Sequence, residues 1–157
     1  MIFYNRVIVD GFMGIRPLAK DGMGRILIVD DQIESCRPLS VLVRHLGHKG
    51  DYATSGSAAL EYLCKSLPDL LILDIMMPGI DGLEILRRLR ADPRYAQMPV
   101  VMFSAMDEHA VRRRAFDLGA NDFWVKASMG FEQLGERLEA LLSVPDAKDN
   151  RVGIVAS

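Results

Sequence analysis

Three aspartates stand where an acid has something to act on. Asp30 and Asp31 close the apolar run Ile26-Leu27-Ile28-Val29, and Asp74 closes Leu70-Leu71-Ile72-Leu73. In parallel α/β sheets, ligands and chemistry gather just outside the carboxyl ends of the strands. An acid at that point, with Pro78-Gly79 and then Asp81-Gly82 turning the chain behind it, is aimed at a ligand. Adjacent carboxylates repel and raise each other's pKa unless a cation lies between them. If Asp74 joins Asp30 and Asp31, the negative charges converge, and a divalent cation resolves the repulsion. Oxygen-only ligands with retained water suit Mg²⁺ better than Zn²⁺, which prefers His and Cys.

Residues so far apart in sequence meet only if their strands end on one edge. After Arg25, short apolar runs alternate with amphipathic segments, the pattern of βα units and a parallel sheet. The runs predict strands at 26–30, 49–54, 70–74, 100–104 and 122–126. The second is polar and reads as an edge strand, while the third is apolar throughout and reads as central. Leu39, Leu42, Val43 and Leu46 predict the first helix; with Ser35 as its N-cap, Pro38 falls in the first turn and Gly47 ends it. The second helix covers 56–65, with Ala59, Leu60 and Leu63 inward. The third turns Ile85, Leu86 and Leu89 inward and Arg87, Arg88 and Arg90 outward. The fourth carries Val111, Ala115 and Leu118 inward, and the fifth Phe131, Leu134, Leu138 and Leu141. Right-handed crossovers then give a three-layer α/β sandwich.

Composition sets bounds. The 157 residues suit one domain with a full core, and 50% of them are apolar. A net charge of −2 does not point to direct nucleic-acid binding. Cys36 and Cys64 both fall in predicted helices, which fits a reducing cytoplasm better than a disulfide. No apolar run has the length of a membrane span, and the start lacks the pattern of a signal peptide. Residues 1–24 form an N-terminal extension with two readings. One is a mis-assigned start, since Met23 stands just before the first strand; the other is an arm that packs through Phe3, Tyr4, Val7, Ile8 and Val9. Residues 25–144 form the main domain and 145–157 a polar tail.

Taken in order, Asp30 and Asp31, Asp74 with Met77-Pro78 and Asp81-Gly82, Ser104, and Gly119-Ala120-Asn121-Asp122-Phe123-Trp124-Val125-Lys126 resemble a response-regulator receiver domain of bacterial two-component signalling. The resemblance covers residues 25–144. It implies a flavodoxin-like, doubly wound five-stranded parallel sheet of order 2-1-3-4-5. It also implies that Asp74 is the phosphoacceptor, a carboxylate nucleophile forming an aspartyl phosphate. Asp31, Asp74 and the backbone carbonyl of Met76 would hold Mg²⁺ directly, with Asp30 acting through water or a hydrogen bond. Lys126 would reach a phosphoryl oxygen or Asp74, and Ser104 would donate to the phosphoryl group. Phe123 matches the switch aromatic, whose ring would swing inward as Ser104 moves. Ala127 stands where the family commonly has Pro, and a cis bond before a non-proline costs about 3 kcal/mol, which weakens the case for one here.

The resemblance further implies a single-domain response regulator that is not an enzyme. It would take phosphate from a histidine kinase or phosphotransfer protein. Output would run through the face of the fourth helix, fifth strand and fifth helix, to a downstream protein or a homodimer partner. Met76 and Met106 occupy positions that tune phosphate loss, and thioethers there would line the pocket and slow the attack of water. Ordinary alternatives stand beside each role: helix capping for Ser104, a solvated face for Arg112, Arg113 and Arg114, and core packing for Phe123 and Trp124. A scaffolding receiver that is never phosphorylated is the second reading, opposed by the complete acid set with Ser104 and Lys126. An aspartyl-phosphate hydrolase would need an acid at position 76, where Met stands. A flavodoxin-like cofactor binder would need a phosphate-cradling loop after the first strand, where acids stand instead.

Overall fold

The computed structural model describes residues 22–142 in full, and of the extension the backbone of two strands, β1 (Tyr4–Val9) and β2 (Phe12–Pro17). These pair antiparallel as a hairpin. The proposed packing of the arm's side chains and the 145–157 tail lie outside the described residues.

The main sheet is parallel and built from β3 (Arg25–Val29), β4 (Lys49–Ala53), β5 (Leu70–Leu73), β6 (Val100–Ser104) and β7 (Asp122–Val125). Its order is β4-β3-β5-β6-β7, which is 2-1-3-4-5 when these strands alone are numbered. Side chains alternate across a strand, so each strand feeds two cores. Leu27, Val29, Leu71, Leu73, Met102 and Phe123 pack against α2 (Gly56–Lys65), α3 (Gly82–Ala91) and α4 (His109–Asp117). Ile26, Ile28, Leu70, Ile72, Phe103 and Trp124 pack against α1 (Ile33–His45) and α5 (Phe131–Leu142). Large side chains buried this fully each stabilise the fold by about 2 kcal/mol. β5 is buried at every residue and lies central, while β4 takes the edge, as their compositions predict.

The helix boundaries show where local rules won or lost. α1 starts earlier than a Ser35 cap would allow. Asp30 Oδ1 accepts the Gln32 N–H at 2.9 Å, and the Gln32 carbonyl then accepts from Ser35 and Cys36, starting the helix. Pro38 therefore sits inside α1, past its first turn. At the other end, Gly47 has φ +87°, and the bonds from His48 to Val43 and from Gly47 to Arg44 close a Schellman motif.

Two inward–outward assignments need correction. Arg90 is half-buried rather than outward: its guanidinium donates to the carbonyls of Gly119 and Tyr95 and to Asn121 Oδ1. The helical period aims it between the outer face and the adjoining α4–β7 turn, and the carbonyls of that turn capture it. Phe131 is 60% exposed, because it opens α5 ahead of the turns that reach the sheet. Among the described residues, no helix is long and apolar enough to cross a membrane.

Candidate functional site

The site is assembled by strand register. Val29 pairs with Leu73, so the residues that follow them, Asp30 and Asp74, stand side by side past the strand ends. The Asp74 N–H donates to the Val29 carbonyl at 2.8 Å and fixes that juxtaposition. Oxygens of Asp30, Asp31 and Asp74 all lie within 4.8 Å of one another. Asp30 and Asp74 are buried and Asp31 is exposed, so the cluster opens to solvent on one side.

Lys126 follows β7 and begins a short 3₁₀ turn, Lys126–Ser128. Its Nζ lies 2.5 Å from Asp30 Oδ2 and 3.5 Å from Asp74 Oδ2, and 5.7 Å above the Phe103 ring. Peptide bonds among the described residues are all trans, the one before Ala127 included. Asp74 Oδ1 accepts the Ile75 N–H at 2.9 Å. Burial pushes the Asp74 carboxyl up to about 6; Lys126 and the Ile75 N–H oppose that push, and Asp30 adds to it. Ser104 ends β6 fully buried, and its Oγ accepts the Met106 N–H at 3.2 Å, the local capping contact.

Phe123 is already inward, 3% exposed, so the ring makes no outward-to-inward swing from this conformation. Arg112 of α4 covers it, with Cζ 5.0 Å from the ring centroid. Met76 is 62% exposed and shares a hollow with Ile75, Met77, Pro78 and Asp81. Met106 is half-buried. Trp124 is fully buried; its indole N–H donates to Asp122 Oδ2, and its ring meets Phe103 edge-on at 6.4 Å.

Some contributors carried little sequence signal. Gly82 donates to the Ile75 carbonyl, and a Cβ on it would stand 2.0 Å from the carbonyl oxygen of Asp74. Asp81 caps α3 by accepting the Glu84 N–H, but the close approach of Gly82 follows from tertiary packing alone. Cys36 donates its thiol to the Asp30 carbonyl from beneath, and burial, with the Asp30 charge, raises it to about 11.

A doubly wound parallel sheet with an acid cluster, a lysine and a hydroxyl at one carboxyl edge is the architecture of a receiver. Residues 26–139 match the response regulator receiver domain family, and the chain belongs to that family. It is 37% identical over 102 residues to the response regulator PleD of Caulobacter vibrioides, covering 65% of this chain and 22% of PleD. It is 33% identical over 117 residues to the gliding motility regulatory protein of Myxococcus xanthus, covering 74% of this chain and 15% of that protein. The chain thus spans under a quarter of the length of either relative. Among solved structures, chemotaxis protein CheY4 of Vibrio cholerae superposes with a TM-score of 0.71 at 27% identity, covering 76% of this chain and 99% of that one. Receiver domains accept a phosphoryl group on an aspartate in two-component signalling, bind Mg²⁺ in an acidic pocket, and interact with histidine kinases or phosphotransfer proteins.

The residues present fit that ion. Its ligands would be hard carboxylate oxygens, already gathered and partly open to water, with neither His nor Cys among them.

Proposed function

We propose that Asp74 is the phosphoacceptor and that Asp30, Asp31, Ser104 and Lys126 equip it for the transfer. The observation that carries this reading is the convergence of a buried carboxylate, two neighbouring acids and an ammonium at one strand edge. An Asp74 carboxylate oxygen attacks phosphorus, a new O–P bond forms, and the bond from phosphorus to the donor nitrogen breaks. The departing imidazole keeps the electron pair and takes a proton from solvent. Mg²⁺, when bound, neutralises charge on the phosphoryl oxygens.

The chain's own groups do the rest. Asp31 and Asp74, with the Met76 carbonyl, would hold the ion, and Asp30 would support it. Lys126 shifts from Asp30 toward a phosphoryl oxygen, a short move for a flexible point charge. Ser104, whose Oγ already accepts the Met106 N–H, turns its own hydroxyl hydrogen to the same group. The Ile75 N–H holds Asp74 Oδ1, which orients the carboxylate. The charge gained biases contacts made through α4, β7 and α5, and the donors are histidine kinases or phosphotransfer proteins.

Incubation with acetyl phosphate tests the reading. Labelling that needs Mg²⁺ and disappears in Asp74→Ala is the expected result. Equal labelling of the variant, or none of the native chain, would overturn it.

A further inference from the structure

We propose that Arg112 is a positioning residue for phosphoryl acceptance, tying the loop after Ser104 to the ring of Phe123. The inference rests on the phosphoacceptor reading and adds a residue that touches none of the reacting atoms.

Two contacts of one side chain carry it. The guanidinium of Arg112 pairs with Asp107, just before α4 in the loop that leaves β6. Its Cζ also lies 5.0 Å from the centroid of the Phe123 ring on β7. That same loop holds the hydroxyl of Ser104, through the Met106 N–H. Arg112 therefore joins the loop carrying Ser104 to the aromatic on the next strand.

Magnitudes separate the two contacts. Both partners of the ion pair are exposed, and such pairs contribute little alone. The ring is 3% exposed, so the cation over it acts at a largely desolvated surface, where cation–π attraction is stronger. A phenyl ring has no hydroxyl with which to secure its inward position. The chain supplies that hold from outside, through a cation on the neighbouring helix. Arg112 thus favours the arrangement found here, with Phe123 in and the Ser104 loop in place, before any phosphoryl group arrives. A protein already in its competent conformation binds its ligand more tightly, because no part of the affinity goes to shifting the population.

The test is titration of the native chain and variants with beryllofluoride in excess Mg²⁺, followed by Trp124 fluorescence. Arg112→Ala should weaken binding roughly three- to tenfold. Arg112→Lys, which keeps the charge, should stay within about twofold. Arg113→Ala, an exposed neighbour, should match the native chain. In a Phe123→Leu background, Arg112→Ala should add no further loss, since the ring it acts through is gone. A merely structural role would move neither the lysine rescue nor this non-additivity. Native-like binding by Arg112→Ala, or a full additive loss in the Leu background, would overturn the role of Arg112 alone. Failure of the native chain to bind beryllofluoride would overturn the phosphoacceptor reading, and this one with it.

Discussion

The ammonium of Lys126 belongs first to Asp30, at 2.5 Å, and only second to Asp74, at 3.5 Å. Lys126 therefore supplies the opposing charge that these two buried acids need. Lys126→Ala removes that charge and leaves two buried carboxylates facing each other. Breaking a buried pair on one side costs about 3 kcal/mol. Urea denaturation without metal should show a loss of that order, and calorimetry should show tighter Mg²⁺ binding by the variant. Weaker Mg²⁺ binding would mean that lysine and ion do not compete for the same acids.

The raised pKa of Asp74 predicts a pH dependence with a definite sign. Its carboxyl moves from an ordinary 3.8 to about 6 in the folded protein. The folded state therefore holds this proton more tightly than the unfolded state does. The stability contributed is fully present below the ordinary value and is lost as pH rises through about 6. At pH 7 without metal, the buried charge costs on the order of 2 kcal/mol, allowing for water at the open side of the cluster. Asp74→Asn should recover that amount at pH 7 and little at pH 4. A variant less stable than the native chain at pH 7 would contradict the assignment.

Gly82 is required by space. A Cβ there would stand 2.0 Å from the Asp74 carbonyl oxygen, which is backbone and cannot step aside. Gly82→Ala should cost at least about 3 kcal/mol and displace the phosphoacceptor loop. Gly79, at φ +80° with open space around it, should lose only about 1–2 kcal/mol on the same change. Gly130→Ala meets nothing within 4 Å and should be nearly neutral. Thermal melts of the set would show this order or refute it.

The cysteines should differ sharply in reactivity. Cys64 is exposed, while Cys36 is buried, bonded to the Asp30 carbonyl and raised to about 11. The thiolate is the nucleophile, so a disulfide reagent at pH 8 should titrate Cys64 quickly and Cys36 only on unfolding. Equal rates in the native state would show that the floor of the acid cluster opens readily.

The strands and the acids at their ends were legible because both signals are local, while the strand order was implied by the resemblance to receiver domains. Apolar runs announce buried strands, and an acid at each run's end marks the functional edge. What remained hidden depends on packing between elements. A triple arginine on α4 reads as a solvated face, yet Arg112 has a ring beneath it, and only the approach of α4 to β7 reveals that. Arg90 misled for the same reason, since two of its partners, Gly119 and Asn121, lie in a turn distant in sequence. Pro38 argued for a later helix start because proline prefers the first turn, but the Asp30 side chain sets the start instead.

The central claim is that Asp74 and no other acid of the cluster receives the phosphoryl group. The most direct measurement is borohydride reduction of the protein after incubation with acetyl phosphate and Mg²⁺, followed by peptide mass spectrometry. Reduction converts an aspartyl phosphate to homoserine and leaves free carboxylates untouched. Homoserine at position 74, with aspartate retained at 30 and 31, is the predicted result. Homoserine at Asp30 or Asp31, or aspartate retained at all three positions, would contradict it.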